Sequence, residues 1–266
     1  MTGRTAVVAG NGPSVARIDM GRVLTSDTIL RTNNFFFEPM HYLGRRVDLA
    51  VMAGDPRVAP FVFATLWQCR VDYDLQGWTS HNPLVTRAGQ RRFSSLYRRV
   101  GFRSHDIAQR LGVLIAQHDR KPMTGTYAVL MAHALGFERI ILAGFDMYGG
   151  SRRYPYQPGP RCRALLGQDL GHRGLDGRLH DPLLDRRILE MLMERGDVDL
   201  MRASDDTGLD DLLSLAPIRK GQAVIATPRQ PPTDWVARSG IYHIDMLRMM
   251  RRMRRWQRSV RWGKPA

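Results

Sequence analysis

Cysteine is nearly absent: Cys69 and Cys162 are the only two, far apart and without CxxC spacing. This argues against a disulfide framework or a thiolate metal site, so both are expected as free thiols. No window supplies the ~18 apolar residues that a membrane-spanning helix requires. Met1 to Arg4 lead straight into a strand-like run with no signal-peptide pattern, so a cytoplasmic location is expected. Three glycine-based signatures are also missing. Without GxGxxG, GKS or GKT, and GxSxG, the sequence offers no dinucleotide fingerprint, P-loop or hydrolase elbow.

With 43% hydrophobic and 24% charged residues in 266, the chain can bury a proper core as one large domain, with or without an appendage. Its net charge of +15 is unevenly spread. From Met246 onward there are eight Arg or Lys and no acid, in "MLRMMRRMRRWQRSVRWGKPA". On a helix, Met246, Met249, Met250, Met253, Trp256 and Val260 form one apolar stripe, with Arg248, Arg251, Arg252, Arg255 and Arg258 mostly opposite. That pattern suits an anionic membrane surface, which implies a peripheral position on the inner face of the cytoplasmic membrane. The alternative is a terminal helix docked on its own core with a solvated basic face. Nucleic acid is not expected as a partner, because a methionine stripe is a poor base-stacking platform and no binding module is recognisable.

Short apolar runs alternate with amphipathic stretches along the rest of the chain. Strands are expected at residues 5–10, 28–33, 48–54, 139–145, 198–203 and 223–227, and helices at 125–137 and 182–196, the second capped by Gly196. Such alternation predicts an α/β fold, a Rossmann-like and mainly parallel sheet with helices on both faces. Residues 147–180, crowded with Gly, Pro and Arg, read as a lid inserted after a strand. The expected organisation is a nucleotide-sugar-binding domain over 1–146 and 181–245, the lid at 147–180 and a basic amphipathic tail at 246–266.

The run "AVVAGNGPS" (6–14) breaks into a glycine-rich turn just after the first strand. A turn there lies at the strand's carboxyl end, where parallel sheets bind ligands. Pro13 fits a first helical position, and Asn11 offers both a donor and an acceptor. Further along come "RTNNFFFE" (31–38), "YLG" (42–44), "TGTYAVLMAHALGFERIILAGFDMY" (124–148), "HDPLLD" (180–185) and "LLSLAP" (212–217). In this order the segments resemble the bacterial lipooligosaccharide sialyltransferases of glycosyltransferase family 42. The resemblance spans residue 5 to about Pro217 and is weakest over 55–120.

It implies transfer of sialic acid from CMP-sialic acid to a terminal galactose of a lipooligosaccharide-type glycan, with inversion, and α-2,3 is the expected linkage. No metal and no cofactor are implied, CMP-sialic acid being the donor substrate. On the family pattern His180 maps to the general base and Tyr148 and Tyr154 to donors on the departing phosphate. These residue types suit the chemistry, since the phosphate gains charge as it leaves and a histidine accepts a proton near neutral pH with little tuning. His172 is a nearby competitor for the base. Asn11, Gly12, Ser14, Asn33, Lys121, Thr124, Gly125 and Asp146 map to substrate contacts. Thr124 replaces a family serine, and Lys121 replaces an arginine, losing the bidentate fork. Gly54 or Asp55 stands where the family has an asparagine near the sugar, and an acid there would repel a sialate carboxylate. A homo-oligomer is compatible with the resemblance.

Two other classes compete. A Rossmann-like nucleotide-binding phosphotransferase would require a magnesium site. A metal-dependent glycosyltransferase would use a DxD to hold a divalent ion, and although "DYD" (72–74) and "DVD" (197–199) match that pattern, three-residue matches in a chain with 25 acids carry no metal expectation. A membrane-recruited nucleotide-binding module would depend on the tail and not on His180.

Overall fold

The computed structural model describes residues 4–102, 104–168, 180–205 and 207–261. Within them a seven-stranded sheet is built from β1 (Thr5–Ala9), β2 (Thr28–Thr32), β3 (Leu49–Val51), β4 (Trp78–Thr79), β5 (Arg139–Ala143), β6 (Asp199–Arg202) and β7 (Ser214–Leu215). Its order is β7-β6-β5-β1-β2-β3-β4, with all pairs parallel. From β1 the chain first builds outward through β2, β3 and β4, then returns to place β5 on the other side of β1. The β1/β5 boundary is therefore the topological switch point, where a doubly wound sheet opens a crevice at its carboxyl end.

Side chains alternate across the sheet as strand geometry requires. Ala6 and Val8 of β1 face one side with Leu30, Ile140 and Leu142, while Val7 and Ala9 face the other with Ile29, Ile141 and Ala143. The first side is covered by α3 (His105–His118), α4 (Thr124–Ala134) and α6 (Pro182–Arg195). Near β1 the second side is closed by the short 3-10 turn Pro13–Arg17 and by Ala216 and Val224. Towards β3 it is covered by α1 (Ala59–Gln68), which packs with α2 (Pro83–Phe93) around Trp78 and Phe35 to Phe37.

Five expected strands lie where the sequence places them, trimmed by one to four residues, and α6 ends at Gly196 in the left-handed region, φ +68°. The expected strand at 223–227 is a correction. Ala223 makes only an isolated antiparallel bridge to Leu24, Val224 turns into the core and Ile225 is 72% exposed, so the run does not join the seven-stranded sheet. Only its last residue, Thr227, enters a ladder, antiparallel to His41.

Of the expected lid, 147–168 is described and contains α5 (Pro160–Leu166), whose Cys162 and Leu165 are buried beside Phe35, Phe36 and Phe37. The remaining lid positions 169–179, with His172 among them, lie outside the described residues, as do tail positions 262–266. Helix α7 (Ile244–Arg261) runs across the boundary expected at 246. Ile244 and Leu247 are buried against the α1/α2 cluster, and Arg251 bonds to Asp55 and to the Leu165 carbonyl of α5.

Candidate active site

The glycines of the first turn are required by close approach. A Cβ on Gly10 would sit 2.5 Å from the Gly144 carbonyl oxygen, and one on Gly12 only 1.9 Å from Asp146 Oδ2. The turn after β1 is thus pressed against the turn after β5. The Gly12 N–H donates to Gly144 O at 2.9 Å, and the Ser14 N–H and hydroxyl both donate to Asp146 Oδ2, at 3.2 and 2.9 Å. Ser14 is fully buried. Asp146, for its part, locks the two strand ends together at the switch point. Asn11 donates from Nδ2 to Thr32 O at 2.9 Å, while its buried Oδ1 finds no hydrogen-bond donor among the described residues. A buried acceptor left in that state is costly, so it is a ready place for a ligand N–H or O–H.

Asn33 closes β2 in the left-handed region, φ +43°, which Asn tolerates better than most residues. Its Nδ2 donates to Thr124 Oγ1 at 3.0 Å, and its Oδ1 accepts from the Ala53 N–H at 2.8 Å. One side chain thereby ties the ends of β2 and β3 to the start of α4. The loop is held by Arg31 and Glu38, a fully buried ion pair across its base. Gly125 lies under the Phe145 ring, which a Cβ would meet at 2.7 Å, so α4 begins against the β5 end as well.

His180 comes to the same edge. Its Nδ1 is 3.1 Å from the main-chain oxygen of Lys121, three residues before Thr124. A carbonyl can only accept, so Nδ1 carries the hydrogen and the neutral ring has its lone pair on Nε2. Two contacts fix this junction: Asp181 caps α6 and lies 2.6 Å from His118 Nδ1, and Asp185 accepts the Met123 N–H at 2.8 Å. Burial pushes the Asp185 carboxyl up to about 6, against the hydrogen bond it accepts from the Met123 N–H.

Tyr148 follows Met147, and both have positive φ, +60° and +46°. Two consecutive non-glycine residues in that region store backbone strain, which the close packing of Gly208 under Met147 and the Gly149 N–H to Asp146 O bond hold in place. The Tyr154 ring stacks on Tyr156 at 5.0 Å, and both rings pack on the α1/α2 cluster. Arg153 lies between the tyrosines. Its guanidinium is 4.6 Å above the Tyr148 ring and 5.6 Å from that of Tyr154, and Nη2 donates to Tyr148 Oη at 3.1 Å.

The expected residues thus form three linked groups along the carboxyl edge of the sheet: Asn11, Gly12, Ser14 and Asp146; Asn33, Lys121, Thr124, Gly125 and His180; Tyr148 and Tyr154. No described hydrogen bond joins the tyrosine pair to His180. Sequence reasoning misses Arg153, because "SRRYPY" shows its charge but not the two rings it meets. The acid near the expected sugar position also looks different in three dimensions. Asp55 takes a two-pronged ion pair from Arg57, at 3.0 Å each, and a further bond from Arg251. Burial works against its charge, but Arg57 outweighs it and holds the carboxyl below the usual range. In the DxD patterns Asp72 pairs with Arg229, Asp197 with His133 and Asp199 with Arg139. Among the described residues no three His, Cys, Asp or Glu side chains come together as a metal site.

No protein-family model matches the chain, and no curated sequence matches it. Solved structures do. The sialyltransferase CstII from Campylobacter jejuni, in complex with the substrate analogue CMP-3FNeuAc, superposes with a TM-score of 0.75 at 20% identity, covering 90% of this chain and 96% of that one. The same enzyme with a trisaccharide acceptor and CMP gives 0.67 at 20% identity, covering 89% and 96%. The monofunctional alpha-2,3-sialyltransferase Cst-I from Campylobacter jejuni gives 0.71 at 19% identity, covering 93% of each chain. Across nearly its whole length, then, this chain has the fold of the Campylobacter sialyltransferases CstII and Cst-I.

Proposed function

We propose that this protein is a sialyltransferase that moves sialic acid from CMP-sialic acid to a terminal galactose of a lipooligosaccharide-type glycan, with inversion, without metal and in α-2,3 linkage. The observation that carries this reading is His180, whose Nδ1–H is held by the Lys121 carbonyl at the carboxyl edge of a sheet shared with CMP-binding sialyltransferases. In that tautomer Nε2 takes the acceptor hydroxyl proton as its oxygen bonds to the anomeric carbon. The bond from that carbon to the phosphate breaks, and its electron pair leaves with CMP. Tyr148 and Tyr154 donate hydrogen bonds to the phosphate as its charge grows. Asn11, Asn33, Thr124 and Asp146 contact the nucleotide and sugar, with Gly12 and Gly125 allowing close approach and Lys121 facing the sialate carboxylate. The pairing of Asp55 with two arginines supports a sialate donor here, since the acid's charge is already compensated.

The membrane role belongs to the same proposal. Met246, Met249, Met250, Met253 and Trp256 of α7 are 38% to 68% exposed, on a helix whose other side holds the core. An apolar row among arginines matches the acyl and headgroup layers of an anionic bilayer. Among the described residues no helix is long and apolar enough to cross a membrane. The direct test is incubation with CMP-sialic acid and lactose, with and without EDTA. Sialyllactose should form equally in both. No transfer overturns the reading, and loss in EDTA with recovery on adding Mn²⁺ overturns its metal-free part.

A further inference from the structure

The phenols expected at the departing phosphate carry a cation between them. Arg153 covers the Tyr148 ring at 4.6 Å, reaches Tyr154 at 5.6 Å and donates from Nη2 to Tyr148 Oη at 3.1 Å. Its Nε and Nη1 are shielded from water and have no hydrogen-bond partner among the described residues. No carboxylate among those residues forms an ion pair with it. Burial disfavours its charge, but the phenol oxygens of Tyr154, Tyr148 and Tyr156 keep it protonated. A shielded guanidinium with two unused donors and no counter-charge is costly unless an anion joins it.

We propose that Arg153 is a third phosphate-binding group, which together with Tyr148 and Tyr154 takes up the phosphate of a CMP-linked sugar. The inference rests on the sialyltransferase reading and adds to it a residue that the family pattern does not supply. Because Tyr148 Oη accepts from Nη2, its own hydrogen must point to another acceptor, and a phenol polarised by a guanidinium is the stronger donor. The void beside Tyr154, which Phe37, Tyr156 and Cys162 also line, measures only about 10 Å³, enough for one water. For this role the Arg153 side chain must turn so that Nε and Nη1, shielded here and without a partner among the described residues, meet the phosphate oxygens. Adjacent Arg152 is exposed and serves as the control.

The experiment measures CMP and cytidine binding by calorimetry for the wild type, Arg153→Met, Arg153→Lys and Arg152→Met, with melting temperatures alongside. Arg153→Met should weaken CMP by about 10- to 100-fold while cytidine, which lacks the phosphate, changes less than about twofold. Arg153→Lys should fall between, and Arg152→Met should match the wild type. Turnover should fall with CMP affinity, by about 10²-fold in Arg153→Met. Equal CMP affinity in the wild type and Arg153→Met overturns the proposal and leaves the sialyltransferase reading standing. Parallel loss of CMP and cytidine also overturns it, since Arg153 would then only hold the lid's shape. A wild type that binds neither CMP nor CMP-sialic acid overturns the underlying reading.

Discussion

His180 and Lys121 are joined by one hydrogen bond of 3.1 Å, from the imidazole Nδ1–H to a main-chain oxygen. Because a backbone atom sets the tautomer, the identity of the Lys121 side chain does not affect it. His180→Ala should therefore reduce turnover by about 10²-fold or more, with CMP binding within a few-fold of the wild type. Steady-state kinetics and calorimetry on the same preparations decide this. A near wild-type rate in His180→Ala beside an inactive His172→Ala would show that the base is the other histidine.

Tyr148 and Tyr154 should behave differently from the base. On the proposed mechanism, removing either hydroxyl would take away a donor to the leaving phosphate while the ring stays packed. Tyr148→Phe and Tyr154→Phe should each lower kcat by about 10- to 100-fold. Melting temperatures should stay close to the wild type. Full activity in both variants would remove the phenols from the chemistry.

Asp185 gives a pH prediction whose sign is fixed by the direction of its shift. Its carboxyl titrates near 3.8 in the unfolded chain and at about 6 when buried, so between those values the native state binds the extra proton. Stability should thus fall as pH rises from about 4 to 6, by an amount on the order of 3 kcal/mol that stays lost above pH 6. Asp185→Asn keeps an acceptor for the Met123 N–H but cannot ionise. Urea unfolding at pH 4 and pH 7 should show the variant gaining on the wild type at the higher pH. An unchanged difference between the two would mean that Asp185 titrates alike in both states.

Gly12 is the position where the two sides of the switch point touch. Gly12→Ala puts a methyl within 1.9 Å of Asp146 Oδ2 and 2.7 Å of Gly144 O, and the latter is backbone that cannot rotate away. The variant should lose on the order of 1–3 kcal/mol of stability and bind CMP more weakly. Urea titration measures the first effect and calorimetry the second. A variant as stable as the wild type would show that the two turns can separate.

What the sequence made legible follows from how locally each element is determined. β1 and β5 are short runs rich in apolar residues, β2 is rich in β-branched ones, each is followed by turn residues, and α6 carries its own cap and stop, so all four are readable. β4 and β7 have only two residues each and exist because a neighbouring strand pairs with them, which no window reveals. Helix α1 is buried on nearly every side from Ala59 to Leu66, so its sequence has no polar face to mark its period. Positions such as Asn33 and His180 could be named from the family pattern. That Asn33 ties three elements, that Asp55 is paired twice and that Arg153 meets two phenols depends on contacts between distant segments.

The structure also changes how the membrane role should be tested. Deleting everything from Met246 would remove Leu247, which is 1% exposed, and Arg251, which bonds to Asp55 and the Leu165 carbonyl of α5. Such a truncation would disturb the core and the candidate site together, so loss of activity would say nothing about lipid. Met249, Met253 and Trp256 are the appropriate targets, since all three are more than half exposed. Replacing them together by Gln leaves every arginine and the packed face in place. The triple variant should melt like the wild type and transfer to lactose at the same rate, yet lose sedimentation with vesicles containing anionic phospholipid. Wild-type binding should require the anionic lipid and weaken as salt shortens the screening length from about 10 Å at 0.1 M to about 3 Å at 1 M. Transfer to a lipid-linked acceptor in those vesicles should fall in the variant. If the variant sediments as the wild type does, the stripe is not what holds the protein to the bilayer, and the membrane reading of α7 fails.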